Sequence, residues 1–208
     1  MDPQPALVLA SASPRQRELL SQLGLSLTVR PVDLDETPAA AEKAADYVRR
    51  VAGAKCDAAF AALPVEQAEL AVLGADTIVI ADGEILGKPR DAADARAMLQ
   101  RLAGRRHEVT TAYRIRRAPD RMVERAVTTL VSFRLLQPRE LDAYLACGEW
   151  TGKAGGYAVQ GIAAAFVSEL RGSHTSVIGL PLAEVIGDLL AVQALPGYPP
   201  AGFGATAS

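Results

Sequence analysis

The chain has 208 residues, a formal net charge of −2 and a pI of about 5.8. Hydrophobic residues make up 50% of it and charged residues 22%, which is typical of a globular protein and excludes an intrinsically disordered one. Proteins that hold a nucleic-acid backbone are usually basic, so the acidic balance argues against a nucleic-acid polymer as a partner. A small anionic substrate is compatible with it, because a few cations in one cleft bind phosphate whatever the net charge.

The cysteines and the distribution of apolar residues indicate in which cellular compartment the protein is expected. Cys56 and Cys147 are far apart in sequence and lack the paired spacing of a zinc site or a disulfide framework, so we expect a reducing environment. Residues 1–5 lack the basic-then-apolar order of a signal peptide. No apolar run approaches the roughly 20 residues that cross a bilayer. We therefore expect a cytoplasmic protein with no membrane partner.

The first part of the chain alternates between predicted strands and helices. They are, in chain order, a strand at 6–10, a helix from Pro14 to Gly24, a strand at 25–32, a helix at 41–62 and a strand at 70–81. Ser13 and Pro14 mark the start of the first helix, because a capping hydroxyl followed by proline suits a helix N-terminus. The sequence Gly-Ala-Asp-Thr at 74–77 predicts an interruption of the last strand.

The second part begins with the hairpin signal Asp82-Gly83 and contains two alternating segments that pair naturally as antiparallel strands. The predicted elements are a helix at 92–103, strands at 107–117 and 123–136, a helix at 138–147, a glycine-rich loop at 152–161, a strand at 162–170 and a helix at 180–192. Parallel-style and hairpin connections together predict an α/β fold with a mixed sheet. We expect one domain over residues 1–193 and a disordered tail at 194–208, which is rich in Pro, Gly and Ala.

The first chemical signal is the sequence Ser11-Ala-Ser13-Pro-Arg15 at a junction between a strand and a helix. Small side chains let the backbone approach a ligand closely, and the free N–H groups of a helix N-terminus attract anions. The hydroxyls and Arg15 add further donors. These features suit a phosphate cradle, although a Ser-x-Ser-Pro sequence taken alone is more often a plain helix cap.

The second signal is a set of carboxylates and lysines. Asp76 stands among apolar strand residues, where a charge is costly unless it is paired or used. Glu36 lies in a polar loop, where its neighbours Asp33 and Asp35 are interpreted as solvated charges, and Lys88 follows a tight turn. Such oxygen ligands suit Mg²⁺ or Mn²⁺, and phosphoanhydride cleavage needs a metal, cations and a group that orients water. Lys55, taken alone, is typical of a surface lysine on a helix.

The third signal is the glycine-rich segment at 153–161, in which glycines permit close ligand approach and Gln160 can both donate to and accept from a base edge. Trp150, just before it, is either a lid or stacking residue or a packing residue at the base of the loop. The only histidines, His107 and His174, lie in unrelated contexts, so a histidine-rich metal site is excluded. A Ser-His-Asp triad drawn through His174 lacks the Gly-x-Ser-x-Gly elbow of a hydrolase.

Taken in order, these segments resemble one family, the Maf family, from about residue 7 to about residue 190. The matching motifs are Ser11-x-Ser-Pro-Arg15, Glu36, Lys55, Gly74-Ala-Asp76-Thr77, Lys88-Pro, Lys153-Ala-Gly-Gly-Tyr-x-x-Gln160-Gly and Gly172-Ser through Gly179-Leu-Pro-Leu182. The resemblance implies a fold similar to the inosine-triphosphatase-like enzymes, with an elongated, twisted mixed sheet in two lobes around a cleft, and a homodimer. It implies hydrolysis of a nucleoside triphosphate to the monophosphate and pyrophosphate with a divalent metal cation.

The resemblance also implies roles for individual residues. Asp76 matches the general base and a metal ligand, and Glu36 matches a second metal-site carboxylate. The matches to phosphate ligands are Ser11, Arg15, Lys55 and Lys88, and the matches to positions that set base choice are Arg15, Thr77 and Gln160. This combination resembles the branch that acts on dTTP and UTP rather than the branch that prefers 7-methyl-GTP.

One position departs from the family pattern, which usually has two arginines directly after Ser-Pro. Here Gln16 stands at the second, and Arg17 follows. A helix turns by about 100° per residue, so Arg17 is expected to point elsewhere. The departure favours a rival interpretation, in which the chain is a non-catalytic nucleotide sensor that regulates cell division through a protein partner. The intact set of Asp76, Glu36 and two lysines favours the enzyme, because sensing needs no base.

Overall fold

The computed structural model describes residues 6–118 and 120–200, and within them the chain forms one seven-stranded sheet and six α-helices. The strands are β1 (Ala6–Leu9), β2 (Ser26–Val29), β3 (Ala71–Ala81), β4 (Glu84–Leu86), β5 (Arg106–Ala118), β6 (Arg121–Phe133) and β7 (Val167–Arg171). The helices are α1 (Pro14–Ser21), α2 (Ala44–Ala61), α3 (Ala92–Leu102), α4 (Pro138–Cys147), α5 (His174–Ile178) and α6 (Leu182–Ala191). None of these helices is long and apolar enough to cross a bilayer.

The sheet is mixed, which confirms the predicted α/β fold class. Its strand order is β2-β1-β3-β5-β6-β7, and the short strand β4 pairs with β3 beside this path. Strand β1 runs parallel to both β2 and β3, whereas the remaining pairs are antiparallel. The Asp82-Gly83 turn joins β3 to β4 with φ of 53° and 79° at its two residues, as the hairpin signal predicts.

Helix α2 covers one face of the sheet, and its buried side chains pack on alternate residues of β1, β3 and β5. The opposite face carries two separate apolar cores. One gathers α1 and α6 over Leu9, Leu73 and Tyr113, and the other gathers α3, α4 and the glycine-rich loop over Val79 and Val131. The helices therefore cover the two ends of this face as separate groups, as expected for two lobes around a cleft.

Two predicted features of the strands are wrong. Strand β3 is continuous through Gly74 and Asp76, because the backbone of Asp76 pairs with that of Ala112 and only its side chain is polar. The predicted strand at 162–170 begins as a 3₁₀ turn, Ile162–Phe166, and only Val167–Arg171 is extended. The carboxylate of Glu149 accepts the first two N–H groups of this turn, which stabilises the turn instead of a strand.

Several boundaries also differ from the prediction. Helix α2 begins three residues late, after Ala41 at a positive φ of 59°, and β2 is shorter than the predicted 25–32. At the other end of the chain, Leu195 is 6% exposed and belongs to the first apolar core. The packed chain therefore extends beyond the domain limit predicted at 193. The disorder was predicted for residues 194–208, of which 201–208 lie outside the described residues.

Candidate active site

An open stretch of sheet edge lies at the centre of the molecule. Strand β1 pairs with β3 only as far as Leu9 opposite Leu73, and β4 begins to pair with the same edge of β3 at Val79. Between these points, the edge of β3 has no neighbouring strand among the described elements. Asp76 lies in this stretch. A cavity of about 490 Å³ opens here, a volume within the range of small-molecule sites.

Lys55 and two carboxylates form the most buried ionic cluster along this cavity. The Lys55 Nζ lies 2.9 Å from Asp76 Oδ1 and 2.7 Å from Glu36 Oε1. The Lys55 side chain is 11% exposed, the Asp76 side chain 16% and the Glu36 side chain 38%. Three segments far apart in sequence therefore meet at one ammonium group: the 33–38 loop, helix α2 and strand β3. Burial shows that Lys55 is not the surface lysine that its helix alone would predict.

Two members of the cluster, Asp76 and Lys55, both have a raised pKa. Burial raises the pKa of Asp76, and the attraction of Lys55 only partly offsets this effect. Burial alone would lower the pKa of Lys55, but Asp76 and Glu36 outweigh it and raise the pKa. Both groups therefore bind protons more tightly than free side chains do. A carboxylate with a raised pKa beside an open cavity is suited to accept a proton from water.

The start of α1 forms a second wall of the cavity. Ser11 Oγ accepts the N–H of Ser13 at 3.1 Å, and Ser13 Oγ accepts the N–H of Gln16 at 3.4 Å. Both hydroxyls thus stabilise the tight passage from β1 into the helix, as a plain cap would. Ser11, Ser13 and Arg15 also face the cavity, so the capping and cradle interpretations of this segment are compatible.

Three cations face the cavity without a carboxylate partner among the described residues. Lys88, Arg15 and Lys153 all line it, and none forms a salt bridge within the described ranges 6–118 and 120–200. Burial lowers the pKa of Arg15. Burial and the nearby Arg15 together lower the pKa of Lys153. A lysine whose pKa is lowered by a neighbouring cation in the same cleft favours a polyanionic ligand, which would relieve the repulsion.

The other side of the cavity is apolar, and beside it lies the Thr77 hydroxyl, whose hydrogen-bond direction can be deduced. It is lined by Val79, Val109, Tyr157, Val177 and Ile178. The Thr111 hydroxyl donates to the Ser176 carbonyl at 2.7 Å, so the Thr77 hydroxyl, 2.7 Å from Thr111 Oγ1, must donate to Thr111. Thr77 therefore offers only acceptor lone pairs to a ligand. An apolar slot with an oriented acceptor suits the flat base of a nucleotide.

All residues predicted for the site lie along this one cavity. They are Ser11, Arg15, Glu36, Lys55, Asp76, Thr77, Lys88 and Gln160. Lys153 also lines the cavity. The sequence predicted no role for it, although its position at the start of the glycine-rich segment was a signal. Trp150 does not line the cavity: its Nε1 donates to the Leu145 carbonyl at 3.0 Å and its ring joins the second apolar core. Packing, rather than stacking on a ligand, is the interpretation that this geometry supports.

Gln16, which departs from the family pattern, faces the cavity, whereas its neighbour Arg17 does not. Gln16 is 5% exposed, and its Nε2 donates to the Gly179 carbonyl at 3.2 Å. Its Oε1 is buried and finds no partner among the described residues. Arg17 is exposed and is not among the lining residues. Arg17 therefore does not replace the missing arginine from a neighbouring direction.

The sequence of the chain matches one protein family and several proteins of known name. A family model described as "Maf-like protein" matches residues 6–192. The dTTP/UTP pyrophosphatase of Anaeromyxobacter dehalogenans strain 2CP-C is 52% identical over 183 residues, which cover 86% of this chain and 90% of that protein. The dTTP/UTP pyrophosphatase of Cereibacter sphaeroides is 50% identical over 193 residues, or 92% and 97% of the two chains. Among solved structures, a dITP/XTP pyrophosphatase of Mycobacterium abscessus matches with a TM-score of 0.41 at 17% identity, over 69% of this chain and 94% of that one.

Proposed function

Because the chain belongs to the Maf family, we propose that it is a nucleoside triphosphate pyrophosphatase that hydrolyses dTTP and UTP to the monophosphate and pyrophosphate. Relatives of about 50% identity that carry this activity in their names support the substrate pair. The observation that carries the reaction type is Asp76, whose side chain is 16% exposed and is held by Lys55 at an open sheet edge. Unpaired cations line the same cavity, so a candidate base and a polyanion site adjoin each other.

The geometry supports a simple assignment of the substrate's parts. The triphosphate lies against the start of α1, where Ser11 and Arg15 face the cavity, and near Lys88. The base lies in the apolar slot beside Thr77, with Gln160 at its edge. This arrangement brings the α-phosphorus close to the edge of β3, where Asp76 projects. The phosphate chain and the base thus occupy regions of opposite polarity within one cavity.

Asp76 orients a water molecule and accepts its proton as the water oxygen attacks the α-phosphorus. A new P–O bond forms, the bond between the α-phosphorus and the bridging oxygen breaks, and pyrophosphate leaves with the bonding electrons. Arg15 and Lys88 neutralise the charge that collects on the leaving group. Lys55 orients Asp76 and Glu36 through its two contacts, of 2.9 and 2.7 Å. Most of the rate then comes from positioning and electrostatic stabilisation.

Glu36 and Asp76 are the residues that we propose hold a divalent cation, Mg²⁺ or Mn²⁺. Within the described ranges, no group of three or more His, Cys, Asp or Glu side chains is placed to enclose a metal. Two carboxylates on one ammonium group nevertheless fit Mg²⁺, which usually takes one or two carboxylates and completes its shell with water and substrate phosphates. When bound, the cation would supply charge neutralisation on the phosphate oxygens.

We also propose that the enzyme is a cytoplasmic homodimer that acts on free nucleotides. Both cysteines are unpaired, in keeping with a reducing compartment, and nucleoside triphosphates are found there. A cavity of about 490 Å³ accommodates one nucleotide, and the net charge of −2 does not favour a polymer. Light scattering after size-exclusion chromatography tests the dimer, which would give a mass near twice 21.9 kDa.

The decisive experiment is pyrophosphate release from a panel of nucleoside triphosphates, with Mg²⁺, with Mn²⁺ and with chelator. We expect fast release from dTTP and UTP, slow release from 7-methyl-GTP and none with chelator. Folded protein that binds dTTP but releases nothing from any nucleotide would contradict the proposal and favour the nucleotide-sensing regulator. Release of orthophosphate instead of pyrophosphate would show that the wrong phosphorus atom has been assigned.

A further inference from the structure

Glu149, which lies outside the cavity, joins the two ends of the glycine-rich loop. It directly follows the turn at the end of α4, three residues before the loop begins. Its Oε2 accepts the N–H of Ile162 at 2.8 Å and its Oε1 accepts the N–H of Ala163 at 3.1 Å. One carboxylate thus binds both amides that directly follow Gln160 and Gly161. Charge-assisted bonds of this kind are stronger than neutral ones.

Gly161 leaves room for this contact. A Cβ at residue 161 would lie 2.0 Å from Glu149 Oε2 and 2.5 Å from its carboxyl carbon. The φ of Gly161 is −108°, outside the left-handed region that favours glycine. The close approach of the Glu149 carboxylate is therefore the physical reason for a glycine next to Gln160.

The rest of the loop is attached independently. The Gly155 N–H donates to the Gly87 carbonyl at 3.0 Å, and the Tyr144 hydroxyl donates to the Gly156 carbonyl at 3.2 Å. These bonds hold the middle of the loop, near Lys153. Between Gly156 and the 3₁₀ turn, Gln160 is exposed toward the cavity. On one side of Gln160, Val159 is buried and the Gly161 N–H donates to the Ala158 carbonyl at 3.0 Å. On the other side, Glu149 supplies the side-chain attachment, so the position of Gln160 depends in part on Glu149.

We propose that Glu149 is a positioning residue, which selects the nucleotide base indirectly by fixing where Gln160 stands in the cavity. This inference rests on the proposed pyrophosphatase function. Glu149 is not among the residues that line the cavity and forms no salt bridge with the cluster around Lys55. Of the cations that line the cavity, Lys153 has its pKa raised by the charge of Glu149, although burial and Arg15 outweigh this effect. Its loss would free one end of the loop and leave the groups that act on the α-phosphorus in place. Loss of Glu149 is therefore expected to weaken nucleotide binding and discrimination between bases, and to leave the rate of the chemical step unchanged.

The test compares wild type, Glu149→Ala, Glu149→Gln and Gln160→Ala, with kcat and KM measured separately for dTTP, UTP and CTP. We expect Glu149→Ala to raise KM for dTTP by on the order of tenfold, since two charge-assisted bonds are lost, and to leave kcat within about twofold. The ratio of kcat/KM for dTTP over CTP falls toward that of Gln160→Ala. Glu149→Gln keeps one acceptor oxygen and restores part of the ratio.

Gly161→Ala reaches the same contact from the other side, and its effect can be separated from general damage. In the wild type, the new methyl group displaces the Glu149 carboxylate and reproduces the Glu149→Ala phenotype. In the Glu149→Ala background the clash is gone, so Gly161→Ala adds nothing; this non-additivity identifies direct coupling. Thermal unfolding of each variant shows that it folds.

The outcomes are distinguishable. A wild type that releases pyrophosphate from none of the nucleotides refutes the proposed function, and this inference with it. An active wild type whose Glu149→Ala variant loses kcat equally on all three substrates, with an unchanged dTTP-to-CTP ratio, refutes only the positioning role. Additive losses in the double variant would refute it as well, because they would show that residues 149 and 161 act separately.

Discussion

Asp76→Asn separates the chemical role of Asp76 from any role in folding. The change replaces one oxygen by an amide nitrogen, keeps the size of the side chain and removes its ability to accept a proton. General-base catalysis contributes about 10²- to 10⁴-fold to rate, and Asp76 is also a proposed metal ligand. We therefore expect kcat for dTTP to fall by about 10³-fold or more, which corresponds to about 4 kcal/mol in the activation free energy.

Stability is expected to move in the opposite direction. Burial raises the pKa of Asp76 in the folded state, despite Lys55 at 2.9 Å. The folded state then binds a proton more tightly than the unfolded state does, so stability declines as pH rises from about 4 through the folded pKa. At neutral pH the ionised Asp76 therefore lowers the free energy of unfolding. The variant also leaves Lys55 its contact with Glu36 at 2.7 Å, so the ammonium group keeps a counter-charge.

The assay pairs single-turnover pyrophosphate release with thermal unfolding at pH 7. The matched control is Asp33→Asn, the same chemical change at an exposed loop residue that does not line the cavity; we expect wild-type kinetics. For Asp76→Asn we expect lost turnover with an unchanged or raised Tm. A variant that kept kcat within tenfold of wild type would refute the base assignment. A large drop in Tm would show that Asp76 is chiefly structural.

Three further predictions concern the metal, pH and the first helix. Glu36→Gln removes one of two proposed metal ligands, so we expect the Mg²⁺ concentration for half-maximal activity to rise at least about tenfold; an unchanged metal titration would exclude Glu36 as a ligand. Burial lowers the pKa of His107 to about 4, so protons bind the unfolded state preferentially and stability falls as pH drops below about 6.5. Urea unfolding at pH 7 and pH 4 should show that the wild type loses about 3 kcal/mol more stability than His107→Gln does; an equal change in both proteins would contradict this. Arg15→Ala should lower kcat/KM for dTTP by about 10- to 100-fold, whereas Arg17→Ala, outside the cavity, should stay within about twofold of wild type; equal losses would mean that the two arginines share the ligand.

Local patterns predicted most of the elements, because capping residues, the Asp82-Gly83 turn and strand alternation act over a few residues. The errors arose where a distant side chain intervened. The 3₁₀ turn at Ile162–Phe166 is stabilised by Glu149, and its apolar sequence shows nothing of that. Gly74 seemed to interrupt a strand, yet a Cβ there would lie 2.5 Å from the Cys56 backbone nitrogen. The glycine marks the close approach of α2 to β3.

The residues proposed for the site were predicted as a set, and their arrangement in space was not. The resemblance to a family identified Asp76, Lys55 and Glu36, but only the packing of α2 on β3 brings Lys55 to both carboxylates. Lys55 stands in a helix of mixed composition, where sequence alone favours a solvated position. Its burial follows from the position of α2 over the open edge of the sheet, a tertiary fact that no local pattern contains. The proximity of Arg15 to Lys153, which lowers the pKa of Lys153, is likewise a tertiary feature that no local sequence pattern predicts.

The alternation of β3 explains how one short segment presents side chains to both halves of the proposed nucleotide site. Successive side chains of a strand point to opposite faces, so Asp76 turns toward α2 and Lys55 while Thr77 turns toward Thr111 on the other face. Within a closed sheet these two residues could not share a ligand. Because β1 stops opposite Leu73, the cavity wraps around the free edge of β3 and reaches both faces. Lengthening β1 by pairing beyond Ala10 would close that edge, so the early end of β1 is as necessary to the site as the residues themselves.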